Sequence, residues 1–214
     1  MPDIFTIVPV KPFRRAKSRL SPVMSKPIRA AAARALLSRT LDTLASCDLH
    51  RATCVISRDM TALDIARRRG LIALAESESG LNAALNQARE WALSHGAQAI
   101  LVLPADLPLL TPADITSMVN LLREPRSVVI APDARGEGTN ALLLRPPDAI
   151  HFAFGQASFY EHCAQAETSQ LALHVYYSPT VAFDLDTPAD LKRLELDAHP
   201  LSEYDLSAWK GVFS

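Results

Sequence analysis

Three aspartates and one run of basic residues carry most of the chemistry available to this sequence. Asp106 follows the apolar run 99–103 and sits between two prolines in Leu103-Pro104-Ala105-Asp106-Leu107-Pro108. A carboxylate at the end of a buried strand needs a cation or strong hydrogen-bond donors. Mg²⁺ takes one or two carboxylates together with phosphate oxygens and water, which suits that position. A loop-capping aspartate is the alternative. Asp184 and Asp186 flank Leu185 in Phe183-Asp184-Leu185-Asp186-Thr187-Pro188. In an extended chain, alternation places both carboxylates on one face. With Asp106 they would form an acidic pocket able to hold one or two Mg²⁺ ions.

The opposite charge is concentrated at the start of the chain. Residues 4–41 contain no Asp or Glu, yet they carry Lys11, Arg14, Arg15, Lys17, Arg19, Lys26, Arg29, Arg34 and Arg39. Such a stretch attracts polyanions, although a solvated helix face is the plainer reading. Its first part, from Pro9 and Val10 through Lys11 to Arg19, leaves an apolar strand and can hold a triphosphate. Lys11 and Lys17 would act there as point charges, Arg19 as a two-pronged phosphate ligand, and all three would stabilise a departing pyrophosphate. The segment has no glycine, so it is neither a P-loop nor a dinucleotide fingerprint.

A second anion site is suggested further on. Arg135-Gly136-Glu137-Gly138-Thr139-Asn140 is a glycine-containing loop, and Phe154-Gly155-Gln156-Ala157-Ser158 leads into a helix. Backbone N–H groups at a helix start, with a hydroxyl beside them, bind anions. Thr139, Gly155 and Ser158 would hold the phosphate or carboxylate of a second substrate, unless Ser158 is only an N-cap. Gly80 and Asn82 open another helix. Asn82 would read a base or ribose edge, or else serve as a cap or surface residue. His162 lies one turn after Ser158 on the same side, and a lone helical histidine is more often structural than catalytic.

These positions require a scaffold. Strand-like runs at 4–10, 51–57, 71–75, 99–103, 127–131, 141–144, 171–177 and 181–185 alternate with helical segments at 28–45, 61–69 and 81–95 and with helices that start at 112, 158 and 188. Thr111-Pro112-Ala113-Asp114 and Thr187-Pro188-Ala189-Asp190 share one start signal: a capping threonine, a proline at the first helical position and an acid in the first turn. The pattern predicts an α/β fold: one domain over residues 1–214, with a mostly parallel, Rossmann-like sheet and helices on both faces. Ligands in such sheets bind outside the carboxyl ends of the strands, where all these segments fall.

Composition narrows the class. The 214 residues are 49% apolar and carry a net charge of −1, which gives no general pull toward nucleic acid or a membrane. Cys47, Cys54 and Cys163 are scattered and odd in number, against a disulfide framework or zinc site and in keeping with a reducing cytoplasm. No signal-peptide pattern or membrane-length apolar run is visible. The tail from Ala198 would dock Trp209, Val212 and Phe213 on the body or on a second subunit, as in a homodimer.

Taken together, Pro9-Val10-Lys11 with Ala16-Lys17-Ser18-Arg19-Leu20, Gly80-Leu81-Asn82, residues 103–110, Gly138-Thr139-Asn140, Phe154-Gly155 with Ser158-Phe159, and Phe183 to Pro188 resemble the 2-phospho-L-lactate guanylyltransferase family of coenzyme F-420 biosynthesis. The similarity spans residues 4–194. It implies that GTP and a phosphorylated three-carbon acid give a GDP-linked diester and pyrophosphate. The acid would be 2-phospho-L-lactate, phosphoenolpyruvate or 3-phospho-D-glycerate. By this resemblance Asp106, Asp184 and Asp186 match metal positions. Lys11 and Lys17 line the phosphate channel, and Thr139, Gly155 and Ser158 hold the acid. A downstream enzyme of the pathway would draw off the product. The final D-x-D-T-P also occurs in molybdopterin-type nucleotidyltransferases, so a cytidylyl- or uridylyltransferase stays open. A nucleotide-sugar transferase and a non-catalytic anion- or nucleic-acid-binding module are the remaining alternatives.

Overall fold

Strand β1, Ile4–Val10, forms from the apolar run at the head of the chain and lies at the centre of the sheet, paired in parallel with β2 (Thr53–Ser57) on one side and β4 (Ala99–Val102) on the other. The computed structural model describes residues 3–47, 49 and 52–196. Arg51 and the tail from Ala198, with Trp209, Val212 and Phe213, lie outside the described residues. Strand β3 (Ile72–Ala75) continues the parallel ladder beyond β2. On the other side come β5 (Ser127–Pro132), β6 (Thr139–Arg145) and β7 (Ala172–Val175), giving the order β3-β2-β1-β4-β6-β5-β7. Only β6 runs against the rest, because a short loop joins it to β5 as a hairpin.

Helices cover both faces. Neighbouring strand residues point in opposite directions, so Val8, Val55 and Leu101 pack in one cluster and Ile7, Cys54, Ile56 and Ile100 in the other. The first cluster includes Leu37, Leu41 and Leu44 of α1 (Lys26–Ala45), Ala62 and Ala66 of α2 (Met60–Arg68), and Ile115 and Met118 of α4 (Pro112–Leu121). The second includes Leu85 and Ala88 of α3 (Leu81–Ser94) and Ala166 of α5 (Ser158–Thr168). The expected α/β architecture is therefore observed, and most boundaries fall within two residues of those read from the pattern.

The expected strand at 181–185 is absent. Burial alternates there, with Val181, Phe183 and Leu185 inside, which is the pattern that reads as a strand. The residues nevertheless join no ladder, because β7 already lies beside β5 and the chain then crosses back toward β4. Other contacts hold the crossing. The Asn140 amide donates to the Val181 and Ala182 carbonyls (2.9 and 3.1 Å), and Leu185 N–H donates to the Asp106 carbonyl (3.1 Å). At the start of the crossing, Asp114 on α4 accepts from Tyr176 Oη, Ser178 Oγ and Thr180 Oγ1 at 2.7–3.0 Å.

Asp114 also completes the expected helix start: its carboxylate takes the Thr111 N–H while the Thr111 hydroxyl accepts from the Asp114 N–H. Thr187 and Asp190 repeat the device at α6 (Pro188–Leu196). A third small core, formed by Leu20, Met24, Leu36, Phe183, Leu185 and Leu194, clamps the basic loop to the crossing segment.

Candidate active site

The carboxyl ends of β1, β2, β3 and β4 and the loops beside β6 surround one cavity of about 410 Å³. Pro9, Val10, Lys11, Lys17, Gly80, Asp106, Thr139, Gly155, Ser158, Asp184 and Asp186 all line it. Distant stretches of sequence thus meet at one place.

The basic loop enters through two short 3₁₀ turns, Phe13–Arg15 and Ser18–Leu20. Between them Lys17 adopts a left-handed conformation (φ 52°, ψ 38°), costly for a side-chain-bearing residue. Its side chain is 6% exposed, and its Nζ lies 3.1 Å from both Asp106 Oδ2 and Asp186 Oδ1. Burial alone would lower the Lys17 pKa, but the Asp106 and Asp186 charges outweigh it and the net shift is upward. Lys17 is therefore a fixed cation. The loop is fastened from β2: Ser57 Oγ donates to the Val10 carbonyl, and Asp59 accepts the Phe13 N–H at 2.7 Å while capping α2.

The acidic side is short of positive charge. Asp184 is pushed up to about 6, first by burial and then by the Asp106 and Asp186 charges. Every carboxylate in this group offers oxygen only, the donor set of a hard cation. Among the described residues, no three histidine, cysteine or carboxylate side chains enclose a metal by themselves. Mg²⁺ requires only one or two carboxylates, with substrate oxygens and water completing its shell, so these residues fit that ion better than a dedicated protein cage. Arg39 on α1 donates to the Pro108 carbonyl at 2.6 Å and fixes the loop that carries Asp106.

The other end of the cavity is rich in hydrogen-bond donors and acceptors. Ser158 is the first residue of α5, not its cap. That place is taken by Ala157 in a left-handed conformation. The buried Ser158 hydroxyl accepts the Thr139 N–H at 3.0 Å. Thr139 Oγ1 is 2.9 Å from His162 Nδ1. The Ala153 N–H donates to His162 Nε2 at 3.0 Å, so that nitrogen carries no proton and the neutral ring donates from Nδ1. The Thr139 hydroxyl proton is then left to point elsewhere. Burial pushes His162 down to about 4, which keeps it neutral. Gly155 has φ 146°, a backbone state open to glycine. A Cβ on Gly138 would sit 3.0 Å from Asp133 Oδ2, so any side chain there would press on the carboxylate that organises the β5–β6 loop.

Two expected site residues are placed differently. Asn82 does not line the cavity. Its Nδ2 donates to the Phe154 carbonyl and its Oδ1 accepts the Phe154 N–H, so it ties down the Gly155 loop instead of reading a base or ribose edge. Arg19 lies outside the lining, 68% exposed, 3.5 Å from Asp186 Oδ2.

Known proteins resemble this chain in sequence and in fold. Residues 4–204 match the family model described as "Guanylyl transferase CofC like". The chain belongs to this family. It is 45% identical to the phosphoenolpyruvate guanylyltransferase of Rubrobacter xylanophilus over 193 residues, 90% of this chain and 94% of that one. It is 34% identical to the 2-phospho-L-lactate guanylyltransferase of Methanocaldococcus vulcanius over 189 residues, 88% of this chain and 82% of that one. A nucleotidyl transferase from Methanothermobacter thermautotroptrophicus shares the fold, with TM-score 0.65 and 15% identity over 89% of this chain and 95% of that one.

For this CofC-like guanylyl transferase, sequence reasoning missed several residues that build the site. Ser57 and Asp59 hold the basic loop, Asn140 holds the crossing segment at Val181, and Asp133 organises the glycine loop by accepting the Arg135 and Glu137 N–H groups. Arg58 and Glu76 form a cavity-lining ion pair at 3.0 Å. Ser57 ends β2 and Arg58 and Asp59 directly follow it, a signal that was available. The Asn140 and Glu76 partners come from remote sequence and left no such signal.

Proposed function

We propose that this enzyme transfers the guanylyl group of GTP to the phosphate of a phosphorylated three-carbon acid, releasing pyrophosphate, as a step of coenzyme F-420 biosynthesis. A phosphate oxygen of the acid attacks the α-phosphorus of GTP, the bond to the β-phosphate oxygen breaks, and a GDP-linked diester forms. The observation that carries this reading is the order of groups along one cavity. A cation-lined loop at β1 lies beside the aspartates at β4, and the hydroxyl-rich pocket at β6 comes next. In the sheet β4 directly neighbours both β1 and β6, so two anionic substrates can be brought together with their charges screened.

Lys17, held 3.1 Å from Asp106 Oδ2, would meet the charge that gathers on the transferred phosphorus, and Lys11, also in the lining, would extend the positive surface toward the leaving group. Thr139, Ser158 and the Gly155 backbone would orient the acid. Mg²⁺ held by Asp106 with Asp184 and Asp186 would supply further neutralisation of the phosphates. No general base is required, because a phosphate monoester with a second pKa near about 6 is largely dianionic at neutral pH. His162, buried and with both ring nitrogens engaged, is not in a position to serve as one. Catalysis then reduces to alignment and charge neutralisation.

The relatives' names point to phosphoenolpyruvate and 2-phospho-L-lactate as acids, and 3-phospho-D-glycerate offers the same two anionic groups. The test pairs each of GTP, CTP, UTP and ATP with each acid and follows pyrophosphate release with Mg²⁺ present and a downstream coupling enzyme drawing off product. Turnover confined to GTP is expected. Turnover with CTP and none with GTP would replace the guanylyl reading by a cytidylyl one.

A further inference from the structure

The cavity has a third charged region, at the tips of β2 and β3, away from both the aspartates and the acid pocket. Arg58 follows β2 and Glu76 follows β3, and the Glu76 N–H donates to the Ser57 carbonyl at 3.1 Å, which continues the ladder and fixes the backbone. The Glu76 side chain is only 9% exposed. Arg58 Nε lies 3.0 Å from its Oε2. No protein donor is recorded at Oε1 among the described residues. Exposed Leu81, with Pro9 and Ala84, also lines the cavity and offers apolar contact.

The other acids of the cavity already have work. Lys17 bridges Asp106 and Asp186, Asp184 stands in their field, and Asp133 accepts two backbone N–H groups of its own loop. Outside the aspartates proposed to hold the cation, Asp133 is engaged at both oxygens, by backbone N–H groups and by Arg135, whereas Glu76 keeps an oxygen that no protein donor takes among the described residues. A carboxylate has about four lone-pair sites, so one bond from Arg58 leaves room for two more donors.

Guanine presents two adjacent donors, N1–H and the 2-amino group. Adenine and cytosine present a ring-nitrogen acceptor in the place of N1–H, and a carboxylate facing it would be repelled. Strands lie about 4.8 Å apart. The β2 and β3 tips are two and three strands from β4, hence roughly 10–14 Å from Asp106, the reach of a nucleoside from base edge to α-phosphate.

We infer that Glu76 is the residue that selects guanine, accepting its N1–H and 2-amino N–H while Arg58 holds the carboxylate in place. Burial pushes the Glu76 carboxyl above its usual range despite Arg58, the state of an acceptor with too few donors. This inference rests on the GTP reading above.

The test compares GTP with ITP, which lacks only the 2-amino group, at saturating acid and Mg²⁺. In the wild type, loss of one hydrogen bond to a charged acceptor should lower kcat/KM about 10- to 100-fold, mainly through KM. Glu76→Gln should bring the two nucleotides within about threefold by weakening GTP, with kcat little changed. A Glu76→Gln enzyme that keeps the wild-type GTP:ITP ratio overturns the assignment. So does a wild type that uses both nucleotides equally, a result that needs no variant to fold. A wild type that turns over neither guanine nor hypoxanthine nucleotides fails at the earlier step and removes the GTP reading itself.

Discussion

His162 links the stability of the fold to the acid pocket, and the link can be measured. The ring is fully buried, receives the Ala153 N–H at Nε2 and donates from Nδ1 to Thr139. Its folded pKa is pushed down to about 4 by burial, against an unfolded value near 6.5. Between these values the unfolded chain binds a proton that the folded protein refuses. Stability from this group is therefore complete above about pH 6.5 and is lost as pH falls toward 4. The gap of about 2.5 units, at 1.36 kcal/mol each, amounts to roughly 3 kcal/mol over the window and about 2 kcal/mol by pH 5. Asp184 opposes it over part of the same range, since a carboxyl raised to about 6 in the folded state gains a proton there as pH falls. Comparison with His162→Gln separates the two. Urea unfolding of both proteins from pH 8 to 4.5 should show the wild type losing about 2 kcal/mol more than the variant by pH 5. The variant should also raise KM for the acid, because Thr139 loses the partner that frees its proton. Parallel stability curves, or a folded-state His162 that titrates near 6.5 by NMR, would refute the reasoning.

Other expectations follow from single contacts. Asp114→Ala leaves the Tyr176, Ser178 and Thr180 hydroxyls without their acceptor and should cost about 2–3 kcal/mol in chemical denaturation, the scale of hydrogen bonds to a charged group. Ser158→Ala removes the acceptor for the Thr139 N–H and should raise KM for the acid about tenfold, leaving KM for GTP nearly unchanged in steady-state assays. Asp106→Asn should lower kcat by at least about 100-fold, the loss expected when a group that stabilises transition-state charge is removed. Chelation of divalent ions should abolish wild-type turnover, and added Mg²⁺ should restore it.

Most of the scaffold was legible because its signals are local. Apolar runs such as 4–10 and 99–103 form strands wherever both faces are covered, and the two Thr-Pro-Ala-Asp starts cap helices without outside help. The basic loop and the three aspartates could be paired because strand ends in such sheets share one edge. The misread segment at 181–185 shows where this kind of inference stops. Its alternating burial is real, but a strand also needs a neighbour with an open edge, and the segment crosses back toward β4, which is already paired on both sides by β1 and β6. Asn82 is ambiguous in sequence for a related reason: an amide at a helix start can serve a ligand or a loop, and Phe154, the partner it takes in the structure, lies 72 residues away. Ser158 went the other way. Because Ala157 takes the cap, the serine hydroxyl is free to organise Thr139.

The most direct test of the account is the bond that the enzyme makes. Wild-type protein, GTP, Mg²⁺ and phosphoenolpyruvate or 2-phospho-L-lactate would be incubated with a pyrophosphatase and followed by ³¹P NMR and product mass. The account predicts two mutually coupled phosphorus doublets, one from the GTP α-phosphorus and one from the acid, with the mass of the GDP-linked diester. Release of GMP, or of GDP and phosphate, with the acid's phosphorus uncoupled would contradict it.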